Sequence, residues 1–318
     1  MKLAGKVAIV TGSSLSIGRA IALGLAAEGA SVVVNARGSS GEREGATEQV
    51  VEQIRAAGGH AIGVAGSVAD RAFCADLVAR CIAELGRIDI LVNNAGIMPE
   101  TAMHPVADCP VDDWNTTLSV NLGGVFNMAS AVLPHMVAQR SGRMVNAGSW
   151  AGFGGMGGSA YVASKAAIIG LTRAMAADYG PYGITVNCYN PEALSTMGGN
   201  VDPAVLEAML RKWEIKGWRT PAENAYLAGL GGPEGVAPWV VYLCTEQAAN
   251  LNGLVFAVEA RRVALVAAPD EVRVLLRDAA RHGPWSQAEL AAMALLAFPL
   301  DNRWPLRCGE TLTEWETA

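Results

Sequence analysis

At 318 residues the chain is long enough to bury a substantial core, as one large domain or one domain with an appendage. Its 51% hydrophobic and 17% charged residues mark a globular protein and exclude a disordered one, and a net charge of -6 argues against nucleic acid as the main partner. No apolar run reaches the ~18 residues of a membrane span.

Met1–Val10 has a basic start but no separate apolar segment with a cleavage site, so it reads as a first strand (Lys6–Val10) and not as a signal peptide. Next comes Thr11-Gly-Ser-Ser-Leu-Ser-Ile-Gly18, which opens a helix over 17–28. Glycines in such a strand–turn–helix permit the tight turn, and the helix N-terminus offers N–H groups and a positive dipole to a pyrophosphate. Gly12, Ser14, Ser16, Ile17 and Gly18 are therefore candidate cofactor contacts. Ser16 stands where a glycine would let the backbone approach the phosphates; a left-handed serine there costs about 1–2 kcal/mol.

A second strand, Ser31–Val34, leads to Asn35-Ala-Arg37. An acid at this strand end would bind the adenosine ribose 2′-hydroxyl, whereas an arginine accommodates a 2′-phosphate. No acid occurs before Glu42, so Arg37 points to NADP, with NAD as the alternative and a solvated surface arginine as the competing reading. Further strands are expected at Ala61–Ala65, Ile88–Val92, Arg143–Ala147, Ile184–Cys188 and Leu254–Val258. Helices are expected over 45–57, 70–85, 112–138, 160–179 and 235–245. This alternation predicts an α/β fold, a doubly wound (Rossmann) seven-stranded parallel sheet with a small C-terminal extension.

The Gly-, Pro- and Trp-rich segment 192–235, with one helix near Pro203–Trp213, reads as a substrate lid on a dinucleotide-binding and catalytic domain spanning 1–258. In the extension, 259–318, Val263–Val266 suggests another strand, Asp270–Arg281 a helix, and Ser286-Gln-Ala-Glu289 a capping box; Asp301–Ala318 is irregular. The cysteines (Cys74, Cys81, Cys109, Cys188, Cys244, Cys308) show no Cys-x-x-Cys, and His60, His104, His135 and His282 fall at no ligand spacing. Free thiols in a reducing cytoplasm and no metal site are expected.

Tyr161 and Lys165, in Ser159-Ala-Tyr-Val-Ala-Ser-Lys165, lie four residues apart and share one helix face. A free tyrosine with a pKa near ~10 is a poor base at neutral pH, and lowering it by about three units corresponds to ~4 kcal/mol of differential stabilisation. An adjacent ammonium works in that direction and would poise the phenol for proton exchange with an alcohol or carbonyl. Ser149 lies twelve residues before Tyr161.

Asn93-Asn-Ala-Gly96, Val120-Asn-Leu122, Ser149 and Tyr161-Val-Ala-Ser-Lys165, together with the glycine turn, resemble the short-chain dehydrogenase/reductase family over roughly residues 1–258. The resemblance implies roles. Tyr161 is the general acid/base, Ser149 bonds the substrate oxygen, Lys165 binds the nicotinamide ribose and lowers the tyrosine pKa, and Asn121 holds a water of the proton relay. Asn94, Ala95 and Gly96 pack near the adenosine ribose, Ser67 and Val68 follow the adenine edge, and Pro191 and Thr196 lie towards the nicotinamide. The loop after Asn35 is similar to hydroxyacyl-CoA dehydrogenase-like members, in which an Asp selects NAD; here Ala36 takes its place. Three positions depart from the family: Ser16, Gly66-Ser67 in place of an Asp, and Glu192 after Pro191 in place of Gly.

The expected reaction interconverts a secondary alcohol and a ketone. Met98, Met103, Trp150, Phe153, Met156, Met197 and Trp213 supply an apolar pocket for a bulky or acyl-type substrate, and Arg211, Lys212, Lys216 and Arg219 are available to a CoA phosphate. A cofactor sensor or scaffold on the same fold is the alternative, although this chain keeps both Tyr161 and Lys165. A serine hydrolase is disfavoured, since Ala147-Gly-Ser-Trp-Ala151 is no Gly-x-Ser-x-Gly. The long helices 112–138 and 160–179 suggest a homotetramer or homodimer.

Overall fold

The structure, a computed structural model, describes residues 1–38, 45–154, 158–193 and 231–266, with Arg211 and Ala288. The expected helices near 203–213 and beyond residue 266 lie outside the described residues. Strands β1 (Val7–Val10), β2 (Ser31–Ala36), β3 (His60–Ala65), β4 (Ile90–Asn93), β5 (Gly142–Ala147), β6 (Ile184–Pro191), β7 (Val255–Glu259) and β8 (Arg262–Val266) form one sheet in the order β3-β2-β1-β4-β5-β6-β7-β8. The first seven are parallel, as expected, and β8 returns antiparallel along β7 in the register Glu259↔Arg262 to Val255↔Val266. The strand suggested at Val263–Val266 is thus present, and the compact unit carrying the sheet runs Met1–Val266. Ala267–Ala318 forms a separate unit.

Alternating residues of the buried strands feed two cores. Ile9 and Val33 face one, closed by Leu77 and Cys81 of α3 (Arg71–Leu85), Met128 and Val132 of α5 (Gly124–Gln139), and Ile168 of α6 (Ala160–Tyr179). Ala8 and Val10 face the other, closed by Ile21 and Leu25 of α1 (Ser16–Ala27), Val50 and Ile54 of α2 (Ala46–Ala56), and Val240 of α7 (Ala237–Leu243). Burial on both faces explains why the strands read as continuous β-branched runs. Among the described residues no helix is long and apolar enough to cross a membrane.

The helix expected over 112–138 is interrupted. α4 (Val111–Leu118) passes into one π-helical turn, Ser119–Gly123, before α5 continues. Such a turn is a local over-widening that periodicity does not reveal, and it occurs often at functional sites. At the opposite end of the sheet, buried Asp89 collects the backbone N–H of Val7 at 2.9 Å and the forked guanidinium of Arg87 at 2.8 and 2.7 Å. This carboxylate fixes the start of β1 against β4, the pair whose far ends build the candidate site.

Replacing Asp89 by Ala leaves the Val7 N–H buried without an acceptor and Arg87 without its partner. The expected cost is about 2–4 kcal/mol of stability, read by urea denaturation. A loss below about 1 kcal/mol would refute the anchoring role.

Candidate active site

The chain runs outward from β1 to β2 and β3, then returns to β4 on the other side of β1. In an open parallel sheet this reversal leaves a crevice beyond the carboxyl ends of the two central strands. The turn after β1 and the Asn93-Asn-Ala-Gly96 turn after β4 meet there. Thr11 Oγ1 accepts the N–H groups of Asn94 and Ala95, both at 3.0 Å. The Asn94 amide donates to Thr11 O and Gly12 O, also at 3.0 Å.

Both glycines of the turn are required by contact. A Cβ on Gly12, where φ is +62°, would sit 2.8 Å from Ala95 Cα, and one on Gly18 would lie 2.3 Å from Gly12 O. Ser16, at the position that lacks a glycine, adopts φ +51°, the left-handed conformation that costs a serine about 1–2 kcal/mol. Leu15, the residue before α1, makes no side-chain cap, unlike Asp70, whose carboxylate accepts the Ala72 and Phe73 N–H groups at α3. The first turn of α1 thus presents backbone N–H groups that the Leu15 side chain does not cap, towards the crevice where an anionic pyrophosphate needs them. The cradle fits a dinucleotide.

At the end of β2, Asn35 is consumed structurally: its amide donates to Val64 O and Gly66 O, and its N–H to Ser13 Oγ. Arg37 beyond it is exposed and makes no hydrogen bond or ion pair among the described residues. Ser67 Oγ accepts Ala69 N–H at 3.3 Å, and Gly66 is pressed against the Phe73 ring, which a Cβ would meet at 2.0 Å. Val68 belongs to the core and touches the α-carbon side of Gly124. Ser14, Ile17, Ala95 and Gly96 are half-buried around the crevice.

One face of α6 brings the expected proton-transfer group together. Desolvation pushes the Tyr161 phenol above its ordinary pKa, and the neighbouring Ser149 side chain opposes that shift. Lys165 is 3% exposed, donates from Nζ to Ala147 O at 2.9 Å, and lies 5.7 Å from the Tyr161 ring centroid. Burial draws its pKa down to about 8. Asn121, in the π turn, is fully buried. Its amide donates to Ile97 O and Ser164 Oγ at 3.0 and 3.1 Å, and its oxygen accepts Ile97 N–H at 2.8 Å. Ser164 in turn donates to Tyr161 O at 2.7 Å, so Asn121 is tied through Ser164 to the backbone of the tyrosine's own turn.

Trp150 and Phe153 stack edge-to-face at 5.4 Å just after Ser149, and Met98 is exposed. Pro191 closes β6, and Glu192 N–H bonds Val258 O at 2.9 Å. Thr196, Met156, Met197, Trp213, Lys212, Lys216 and Arg219 lie outside the described residues, as does the Met103 side chain; Arg211 is exposed. Three participants were not read from sequence: Thr11, Ser164 and Tyr189, whose hydroxyl donates to Asn94 Oδ1 at 2.9 Å. Thr11 alone carried a signal, its place beside Gly12. No group of metal-binding side chains occurs among the described residues.

A family model described as short chain dehydrogenase matches residues 6–202. The short-chain reductase protein NovJ of Streptomyces niveus is 36% identical over 265 residues, covering 80% of this chain and 93% of that protein. A 3-oxoacyl-[acyl-carrier-protein] reductase of Synechocystis sp. is 37% identical over 260 residues, covering 81% and 96%. A crystal structure of a short chain dehydrogenase from Mycobacterium avium superposes with a TM-score of 0.76 at 31% identity, covering 93% of this chain and 96% of that one.

Because burial lowers the Lys165 pKa, the unfolded state holds that proton more tightly between about pH 8 and the ordinary lysine range, so this group's contribution to stability rises with pH there, against the opposite contribution of Cys74, Cys81, Cys188 and Cys244, whose thiols burial pushes up. Lys165→Met removes the buried charge and keeps the stem length. It should remove the rising contribution, so that stability falls more steeply above about pH 8 than in the wild type, and raise the melting temperature by about 2–4 °C for each kcal/mol recovered. A lower melting temperature would show that the bond to Ala147 O outweighs desolvation.

Proposed function

Because the chain belongs to the short-chain dehydrogenase/reductase family, we propose that it is an NAD(P)-dependent alcohol dehydrogenase or carbonyl reductase acting on a bulky or acyl-type ketone. Oxidoreduction with a nicotinamide dinucleotide is the chemistry of the family. The observation that carries the finer reading is the gathering of Ser149, Tyr161 and buried Lys165, with Lys165 Nζ 5.7 Å from the Tyr161 ring centroid. Gly12, Ser14, Ser16, Ile17, Gly18, Asn94, Ala95 and Gly96 are the residues assigned to the dinucleotide, with Ser67, Val68, Pro191 and Thr196 completing the site. A bound nicotinamide supplies the hydride acceptor or donor.

The protein's own part is proton handling. Ser149 and Tyr161 present two hydroxyls to one substrate oxygen. A phenol whose pKa is raised by desolvation is protonated at neutral pH, which suits donation to a developing alkoxide and therefore ketone reduction. Running the other way, Tyr161 must leave as phenolate, and the Ser149 side chain and the nearby Lys165 charge oppose the desolvation penalty. Asn121 has both amide hydrogens and one acceptor site of its oxygen engaged, which fixes the side chain beside Ser164 under the Tyr161 turn.

The aromatic pair Trp150–Phe153 favours a bulky group next to the carbonyl, and the 3-oxoacyl reductase among the relatives supports an acyl-type one. Exposed Arg37, with no acid beside it, supports NADP over NAD. Exposed Phe126 on α5 and Val111 on α4 support assembly through these helices into a homodimer or homotetramer. A sensor without turnover remains the second reading, and it requires the intact Tyr161, Ser149 and Lys165 group to be idle.

Tyr161→Phe should lower kcat/KM for ketone reduction by at least about 10²-fold, followed at 340 nm, while the dinucleotide dissociation constant stays within about twofold. Retained turnover would overturn the mechanism. Arg37→Ala should weaken NADP(H) binding about tenfold or more and NAD(H) binding less than about twofold. Equal loss for both dinucleotides would refute the assignment of Arg37 to the 2′-phosphate.

A further inference from the structure

Tyr189 is the largest fully buried side chain of the sheet, and its phenol reaches out of β6 to the turn after β4. The register explains the reach. Asn93 pairs with Asn146 and Ala147 with Tyr189, so the strand between them presents only the Ala147 methyl on the face the ring must cross. Beyond it stands Asn94.

Every hydrogen-bonding position of the Asn94 amide is then determined. Its nitrogen faces two carbonyls, Thr11 O and Gly12 O, and must be the NH2 end. The oxygen therefore faces Tyr189, whose hydroxyl must donate. Burial keeps that phenol protonated, pushing its pKa far above the ordinary tyrosine value. Only a neutral hydroxyl supplies this donor, and no other contact to Asn94 Oδ1 occurs among the described residues.

The two carbonyls held by Asn94 belong to the turn that carries the left-handed Ser16 four residues after Gly12. A serine at φ +51° favours relaxing to an ordinary backbone conformation, which would turn the donors of the first helical turn away from the crevice. We propose that Tyr189 is a positioning residue for the dinucleotide turn: by orienting Asn94 it holds the turn in its binding conformation and offsets the strain of Ser16. The inference rests on the reading of this turn as the dinucleotide site. The brace acts through preorganisation and not through contact with the cofactor, so it should affect NADP(H) and NAD(H) alike.

The test is a double-substitution cycle on the full chain with Tyr189→Phe, Ser16→Gly and the pair. Dissociation constants for NADPH and NADH are measured by fluorescence titration without substrate, alongside melting temperatures. Tyr189→Phe deletes one oxygen and leaves Asn94 Oδ1 without its donor. The expected result is a three- to tenfold weaker binding of both dinucleotides, at roughly the scale of one buried hydrogen bond. The KM for cofactor should rise by the same factor while kcat at saturation stays within about twofold. In the Ser16→Gly background, where no strain needs holding, the loss should shrink to less than about twofold.

A purely structural Tyr189 would lower the melting temperature in both backgrounds and leave the dissociation constants unchanged, which would overturn the proposal. An equal binding loss in both backgrounds would overturn the compensation of Ser16. Should Tyr189→Phe alone melt below the assay temperature, the pair is compared with Ser16→Gly, and a loss above about threefold there sinks the idea. Wild-type protein that binds neither dinucleotide would overturn the reading of the site itself, a result distinct from each of these.

Discussion

The Asn94 side chain is the contact on which the working end of this molecule depends. It joins the turn after β4 to the turn after β1 across the crevice, donating to two carbonyls and accepting from a phenol that has crossed from β6. Such a crossing is possible because the sheet reverses direction here, so two turns far apart in sequence lie side by side. The glycines at 12 and 18 are consequences of the same crowding, since a Cβ at either would occupy space held by Ala95, Gly12 O or the Asn94 amide. At the other end of the central strands Asp89 plays the matching structural part, pinning the start of β1 with a buried carboxylate. The central strand is thus fastened at both ends by polar groups rather than by apolar packing alone.

On the second side of the crevice, packing and chemistry pull in opposite directions. Lys165 lies buried where desolvation draws its pKa to about 8, and Tyr161 is desolvated enough that its pKa rises. Both shifts disfavour the charged forms, and neither group would be chosen for stability alone. They are held there by α6, which is continuous through the motif, and by the π turn opposite, whose Asn121 clamps the Ile97 backbone and reaches Ser164 beneath Tyr161. Clustered unfavourable ionisations of this type are what an acid/base site needs.

Much of this was legible in one dimension because burial on both faces of a parallel sheet writes itself into sequence as runs of Val and Ile. All seven parallel strands, and the described helices between them, fall within a few residues of where alternation placed them. The Tyr161–Lys165 spacing required only that the segment be helical. The missing glycine at 16 marked a position where a left-handed serine would be strained, and the structure places Ser16 there at φ +51°. What escaped the reading shares a different character. The π turn has no periodicity of its own, Asp89 is one acid among many, and Tyr189 reads as an ordinary apolar strand residue.

The sequence by itself determined the α/β class, the dinucleotide turn and the tyrosine–lysine pair, since each is a local pattern whose meaning is set by residues within a turn or a strand of one another. Tertiary structure alone decided which groups meet. Ser149 and Lys165 both lie beside Tyr161; Asn121 spends its side chain on Ile97 and Ser164; and Tyr189 reaches Asn94 over Ala147. These contacts join residues separated by dozens of positions, and their distances follow from strand order and register, which no local pattern encodes.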